Sequence, residues 1–160
     1  MCRIALLVVV LLTLSGCSAL SPTGAPLLTV DNQDDVEYSL TVYVLPDLEN
    51  ADELTFRATD TDGDNRSVTT AELRGNASFR NVTLDGDPAA VSRETLSAGT
   101  TTSAAINIWD PGSATVYVIE TTGGTASLAG VQVITCGSRD QRHRITITDG
   151  AVSNRSITCP

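Results

Sequence analysis

Between Val36 and Val44 the chain alternates: Val36, Tyr38, Leu40, Val42 and Val44 are apolar, with Glu37, Ser39 and Thr41 between them. A period of two is that of a β-strand, whose successive side chains leave opposite faces. No segment after Cys17 sustains a helical period of 3.6. Further strands are expected over Leu54–Ala58, Val68–Leu73, Phe79–Leu84, Ser103–Trp109, Ala114–Glu120, Ser127–Cys136, Arg142–Thr148 and Ala151–Cys159. Turn-forming runs separate them, among them Pro46-Asp47, Asp60–Asn65, Asp85–Pro88 and Asp110–Gly112. Asp149-Gly150 joins the last two as a two-residue hairpin signal. Short strands spaced by about 8–12 residues predict an all-β fold, an antiparallel β-sandwich of eight or nine strands, broadly immunoglobulin-like. The Trp and paired-cysteine spacing of antibody domains is absent. Ala114–Glu120 is apolar on both faces and suits a central strand.

A length of 160 residues fits one domain with a short leader. The sandwich is assigned to residues 27–160. Upstream, Met1-Cys2-Arg3 precedes the apolar run Ile4–Leu14. As a helix this run spans about 17 Å, short of the roughly 30 Å of a bilayer core. It has the size of a signal-peptide core. Leu14-Ser15-Gly16-Cys17 follows and resembles a bacterial-type lipobox. The resemblance implies cleavage before Cys17, residues 1–16 as a signal peptide, and a lipid on the Cys17 sulfur. Residues 17–26, small and proline-containing, read as a tether. On this reading the protein is exported and held by its lipid at the outer face of the cytoplasmic membrane. The alternative is ordinary secretion, with cleavage nearby, for instance after Ala19.

Acids outnumber bases 19 to 10, for a formal charge of −9, and every base is arginine. The excess of acid excludes general nucleic-acid binding, which needs a basic face. Together with the exported leader, this composition resembles that of secreted proteins of halophilic archaea. The implied role of the carboxylates is to keep the surface hydrated when salt screens charge within about 3 Å at 1 M. The competing reading is an acidic site for a cationic ligand.

Cys136 and Cys159 remain as a pair in an exported chain and are expected to form a disulfide. Two free buried thiols are the alternative. Asp60, Asp62 and Asp64 begin like a calcium loop, with alternating oxygens for a hard cation. The sixth position of that loop is Asn65 rather than Gly, and a solvated turn is the competing reading. No cofactor is expected, with calcium as the alternative. Arg139, Arg142 and Arg144 cluster and could hold an anion or an acidic partner through bidentate hydrogen bonds. The plainer reading of this cluster is a hairpin face paired with the domain's acids. Alternation points Arg142 and Arg144 outward and sets His143 with Ile145 and Ile147, as a residue at a strand edge. Asn65, Asn76, Asn81 and Asn154 stand in N-x-S/T sequons and are candidate glycosylation sites.

Catalysis finds little support. One histidine and one methionine exclude a blue-copper site, and no G-x-S-x-G elbow is present. The first functional expectation is therefore a lipid-anchored, non-enzymatic interaction or accessory module, with an envelope or surface protein as partner. The second is a small-ligand or calcium-binding surface module. The third is a carboxylate-based hydrolase, which would need a cleft of acids with raised pKa values.

Overall fold

The computed structural model of the chain describes residues 24–160, apart from 47, 49, 75–77, 125 and 139. Eleven strands fall within the described residues: β1 Leu27–Asn32, β2 Tyr38–Leu45, β3 Thr55–Thr59, β4 Asn65–Thr69, β5 Arg80–Leu84, β6 Ala90–Leu96, β7 Thr101–Ala105, β8 Ala114–Thr121, β9 Leu128–Ile134, β10 Arg142–Thr148 and β11 Ala151–Thr158. A short helix, α1 Thr70–Arg74, and a 3-10 turn at Ala51–Glu53 accompany them. The strands form an outer sheet in the order β11-β10-β1-β7, a central sheet β6-β2-β8-β9 and a three-stranded cap sheet β4-β3-β5. No helix among the described residues is long and apolar enough to cross a membrane.

The all-β sandwich is as the alternation predicts, with one layer more than expected. Tyr38, Leu40, Val42, Tyr117 and Ile119 of the central sheet pack against Leu28, Val30, Ile145 and Ile147 of the outer sheet. On the opposite face Tyr43, Val116, Val118 and Val131 pack against Phe56, Ala58, Val68, Val82 and Leu84 of the cap sheet. β8 is central because both its faces are covered, which is why its sequence lacks a polar side.

Seven of the eight strand pairings are antiparallel, and β1 with β10 is parallel, from Leu27 opposite Arg142 to Asn32 opposite Ile147. A parallel pair needs a long connection. Here nearly the whole domain lies between the two strands, so the first strand is inserted beside the second-to-last.

The strand count exceeds eight or nine because β1 and β6 lack the signals used above. β6 is an edge strand exposed along much of its length, so its outward positions need no apolar pattern. The expected strand Val68–Leu73 is instead the end of β4 followed by α1. Glu72 Oε2 accepts from the Thr69 N–H at 2.7 Å, and Thr69 Oγ1 accepts from the Glu72 N–H at 3.4 Å. That reciprocal pair is a capping box, which starts a helix where alternation alone reads a strand. The expected strand Ser103–Trp109 stops at Ala105. Beyond it the Trp109 N–H bonds the Ile106 carbonyl at 3.1 Å in a turn, and the indole N–H bonds the Ser113 carbonyl at 2.9 Å.

Two polar side chains fix the crossings between the outer and central sheets. Asn32, 1% exposed, donates through Nδ2 to the carbonyls of Val36, Leu96 and Ser97, and accepts from the Asp34 N–H. It joins the β1–β2 and β6–β7 crossings at one point. Asp34 accepts from the Tyr38 hydroxyl at 2.6 Å and from the N–H groups of Asp149 at 2.8 Å and Gly150 at 3.0 Å. These bonds hold its carboxyl below the usual range, the Tyr38 bond most of all. Asp149 and Gly150 both have positive φ, 55° and 76°, as the hairpin signal requires.

Cys136 and Cys159 are joined as a disulfide with Cα atoms 6.1 Å apart, tying the loop after β9 to the residue after β11. Replacing both by serine is expected to lower the unfolding free energy by about 3 kcal/mol for a closed loop of this length. Urea denaturation in the presence and absence of reductant checks it, and unchanged stability would contradict it. Gly130 of β9 marks a second closure. A Cβ added there would lie 2.7 Å from Val152 Cγ2 of β11. Gly130→Ala is expected to cost about 1–3 kcal/mol, because a β-branched neighbour cannot swing away. The pair Gly130→Ala with Val152→Ala should recover part of it. A neutral single variant would mean that the two edge strands do not approach this closely.

Candidate functional site

The interior of the sandwich does not close equally on its two sides. At one side β9 and β11 meet through Gly130 and Val152, and Arg155 donates to Gln132 Oε1 at 2.6 Å. At the other, the edge strands β6 and β7 leave a groove of about 260 Å³. Leu28, Val30, Leu40, Val42, Leu96 and Ile106 line its apolar part. Register explains the opening. Val30 and Leu28 lie opposite Thr102 and Ala104 on β7, and Val42 and Leu40 lie opposite Ser92 and Glu94 on β6. Side chains that are small or polar at the edges cannot fill the space that the inner strands define. The outer edges of β6 and β7 have no strand partner among the described residues.

Arg142 and Arg144 are exposed on the outer face of β10, as alternation predicts. Arg139 lies outside the described residues, so the cluster is described as a pair. His143 corrects the sequence reading. It is 1% exposed, in the interior rather than at a strand edge. Its Nε2 meets Gln141 Oε1 at 2.9 Å, and its Nδ1 meets the Tyr117 hydroxyl at 2.5 Å. The Gln141 amide nitrogen donates to the carbonyls of Cys136 and Ser138, so its oxygen faces the ring and must accept. Nε2 therefore carries the proton, and Nδ1 accepts from Tyr117. The network links β8, β10 and the loop that holds Cys136. Burial lowers the His143 pKa to about 4 and pushes Tyr117 up.

The acids that look like a cation site are differently occupied. Asp60, Asp62 and Asp64 lie in the loop joining β3 and β4. Asp60 Oδ1 accepts from the N–H groups of Asp62 at 3.0 Å and Asp64 at 2.9 Å, and Asp60 Oδ2 stands 3.7 Å from Arg66. The first carboxylate of the series thus closes the turn. Among the described residues no group of three or more His, Cys, Asp or Glu side chains is placed to hold a metal ion. Glu120, which the sequence did not single out, is a carboxylate whose pKa is raised by burial. Its Oε1 accepts from the Val82 N–H at 3.0 Å and joins the central sheet to the cap sheet. Its signal was a lone acid at the end of an apolar strand.

The sequon asparagines Asn65, Asn81 and Asn154 are exposed, at the start of β4, on β5 and on β11. Asn81 takes a positive φ of 53°, and its Nδ2 donates to Thr59 Oγ1 at 3.3 Å. Asn76 and Cys17 lie outside the described residues.

His143 is the chain's one histidine, so a single ring resonance reports its charge. The ring should titrate near 4 rather than near 6.5. The sign follows from linkage: the folded value lies below the unfolded one, so the unfolded chain takes up the proton first. The stability due to the neutral ring is complete above about 6.5 and is lost as pH falls toward 4. An NMR titration with a midpoint near 6.5 would show that the ring is solvated.

A family model described as "Halobacterial Ig domain protein" matches residues 1–159. No curated protein and no solved structure matches the chain. The match spans nearly the whole sequence and agrees with the layered, mainly antiparallel strands. The chain is thus a member of the halobacterial Ig domain protein family.

Proposed function

We propose that this Ig-like domain is a lipid-anchored, non-enzymatic interaction module. It is displayed at the outer face of the cytoplasmic membrane and receives a protein partner along the open side of its sandwich. The observation that carries the contact is the groove between β6 and β7. Two free strand edges offer backbone hydrogen bonds to an extended segment, and the apolar floor between them offers room for its side chains. The lipobox-like Leu14–Cys17 and the small, proline-containing residues 17–26 support the anchoring. The family match covers residues 1–159 and so takes in the lipobox-like segment as well as the strands.

A small-ligand module is the second reading, and the same groove favours it. Its volume lies just under the roughly 300–1,000 Å³ of ligand pockets. The calcium form of that reading has Asp60 already engaged by backbone amides. A carboxylate hydrolase has no comparable support, since Glu120 is held by a backbone amide.

Cys17→Ser should move the protein from the membrane fraction to the medium, and mass spectrometry of the native N-terminus should find lipid on Cys17. Membrane retention of the variant at the native level would refute the anchor. A photo-crosslinking residue at Ala104, beside the groove, should trap a protein in native membranes. The same residue at Asp62, on the cap-sheet loop, should not. Equal trapping at both positions would remove the assignment of the contact to this edge.

A further inference from the structure

The four strands of the outer sheet carry one acid, Asp31, against Arg142, Arg144 and Arg155, although the chain holds 19 acids and 10 bases. Arg57, Arg66 and Arg74 have carboxylates of Asp85, Asp60 and Asp52 beside them. Arg142 and Arg144 make no such ion pair with any described residue. They stand two positions apart on one face of β10, about 7 Å along the strand. Register places hydroxyl-bearing side chains beside them: Thr158 opposite Arg142, and Thr29 and Ser156 on the two sides of Arg144. Together with Leu27 they line a depression of about 250 Å³. Asp31, the next outward residue of β1 after Thr29, accepts from Gln33 Nε2 at 2.8 Å and the Thr101 hydroxyl at 2.9 Å, and these bonds, with a smaller contribution from the Arg144 charge, lower its pKa.

We propose that this depression is a binding site for a tetrahedral oxyanion, the phosphate or sulfate group of a ligand. Arg142 and Arg144 grip its oxygens from one side, and Ser156 and Thr158 supply hydroxyl donors around them, beside a Thr29 hydroxyl that meets Ser103 Oγ at 3.0 Å. The guanidinium fork presents paired N–H groups that match such oxygens, which a single ammonium does not. A carboxylate presents its oxygens in one plane, whereas a phosphate or sulfate group presents them tetrahedrally toward donors on more than one side. Arg57, Arg66 and Arg74 stand beside carboxylates, whereas register sets hydroxyls beside Arg142 and Arg144. The face is left cationic within an acidic protein. This site is separate from the β6–β7 groove and does not depend on the anchor.

The group could belong to a free ligand or to a membrane headgroup, and the test separates the two sources. The full chain is melted in rising inorganic phosphate against chloride at matched ionic strength. Ligand binding should raise the melting temperature saturably in the wild type. Arg142→Gln and Arg144→Gln should each weaken the apparent phosphate affinity at least tenfold, and Arg57→Gln should leave it unchanged. Arg142→Lys, which keeps the charge and loses the fork, should weaken it severalfold and covers the case in which a glutamine variant does not fold. In the second arm, retention on phosphatidylglycerol vesicles is compared with retention on phosphatidylcholine. The leader is common to all variants, so the ratio reads the arginines. Saturable phosphate binding lost with the arginines supports a free oxyanion ligand. Arginine-dependent retention on phosphatidylglycerol without phosphate binding supports the headgroup. Equal behaviour of the wild type and the double glutamine variant in both arms overturns the site.

Discussion

The central sheet has two buried faces, and the rest of the molecule is arranged to cover them. β2 and β8 supply most of this demand. Tyr38, Leu40, Val42, Tyr117 and Ile119 point one way, and Tyr43, Val116 and Val118 point the other. A single opposing sheet would leave the second set in water. At roughly 1.5–3 kcal/mol for each large apolar side chain, that exposure would outweigh the few kcal/mol by which a domain is stable. The cap sheet and α1 answer it, bringing Phe56, Val68, Leu73 and Val82 onto the second face. With 4% aromatic residues, the interior is built largely from aliphatic side chains, many of them β-branched and suited to stacked sheets.

Closure of the sandwich is asymmetric, and the asymmetry positions the functional surfaces. On the β9–β11 side a glycine lets the edges touch, and the Cys136–Cys159 disulfide pins the strand end. On the β6–β7 side short and polar residues leave the apolar interior reachable. The crossings that create this open side are locked by Asn32, a buried amide whose donors and acceptor all have partners. Its bonds are to backbone groups of both crossings, so rigidity there comes from polar satisfaction rather than from apolar area.

Charge is partitioned as unevenly as packing. Asp34 and Asp60 bond backbone N–H groups of turns, and Glu120 bonds one at a sheet junction. An acid-rich composition read as a hydrating surface therefore also contains structural acceptors, and composition does not distinguish the two. The outer sheet is the exception, with three arginines on its strands against the single acid Asp31, and hydroxyls in register with Arg142 and Arg144. Such segregation is invisible in a net charge. It appears once strands distant in sequence, β1, β10 and β11, lie side by side.

The sequence by itself determined most strands, the Asp149-Gly150 hairpin and the pairing of the two cysteines. Each of these rests on local pattern: a period of two, a dipeptide that tolerates positive φ, a lone pair of cysteines among the strands. The Thr69–Glu72 capping box was legible by the same kind of rule, though alternation through Val68–Leu73 concealed it. Tertiary structure alone decided what covers each face. Period two says which residues share a side and leaves open which remote segment meets them. Ala114–Glu120 announced that it needed two covers, while Ile145 and Phe56, which help supply them, lie on opposite sides of it in the chain. His143 shows the same limit. Its alternation with Ile145 and Ile147 set its side of the strand. Its depth, its tautomer and its lowered pKa follow from Tyr117 and Gln141, whose approach is a property of the folded core.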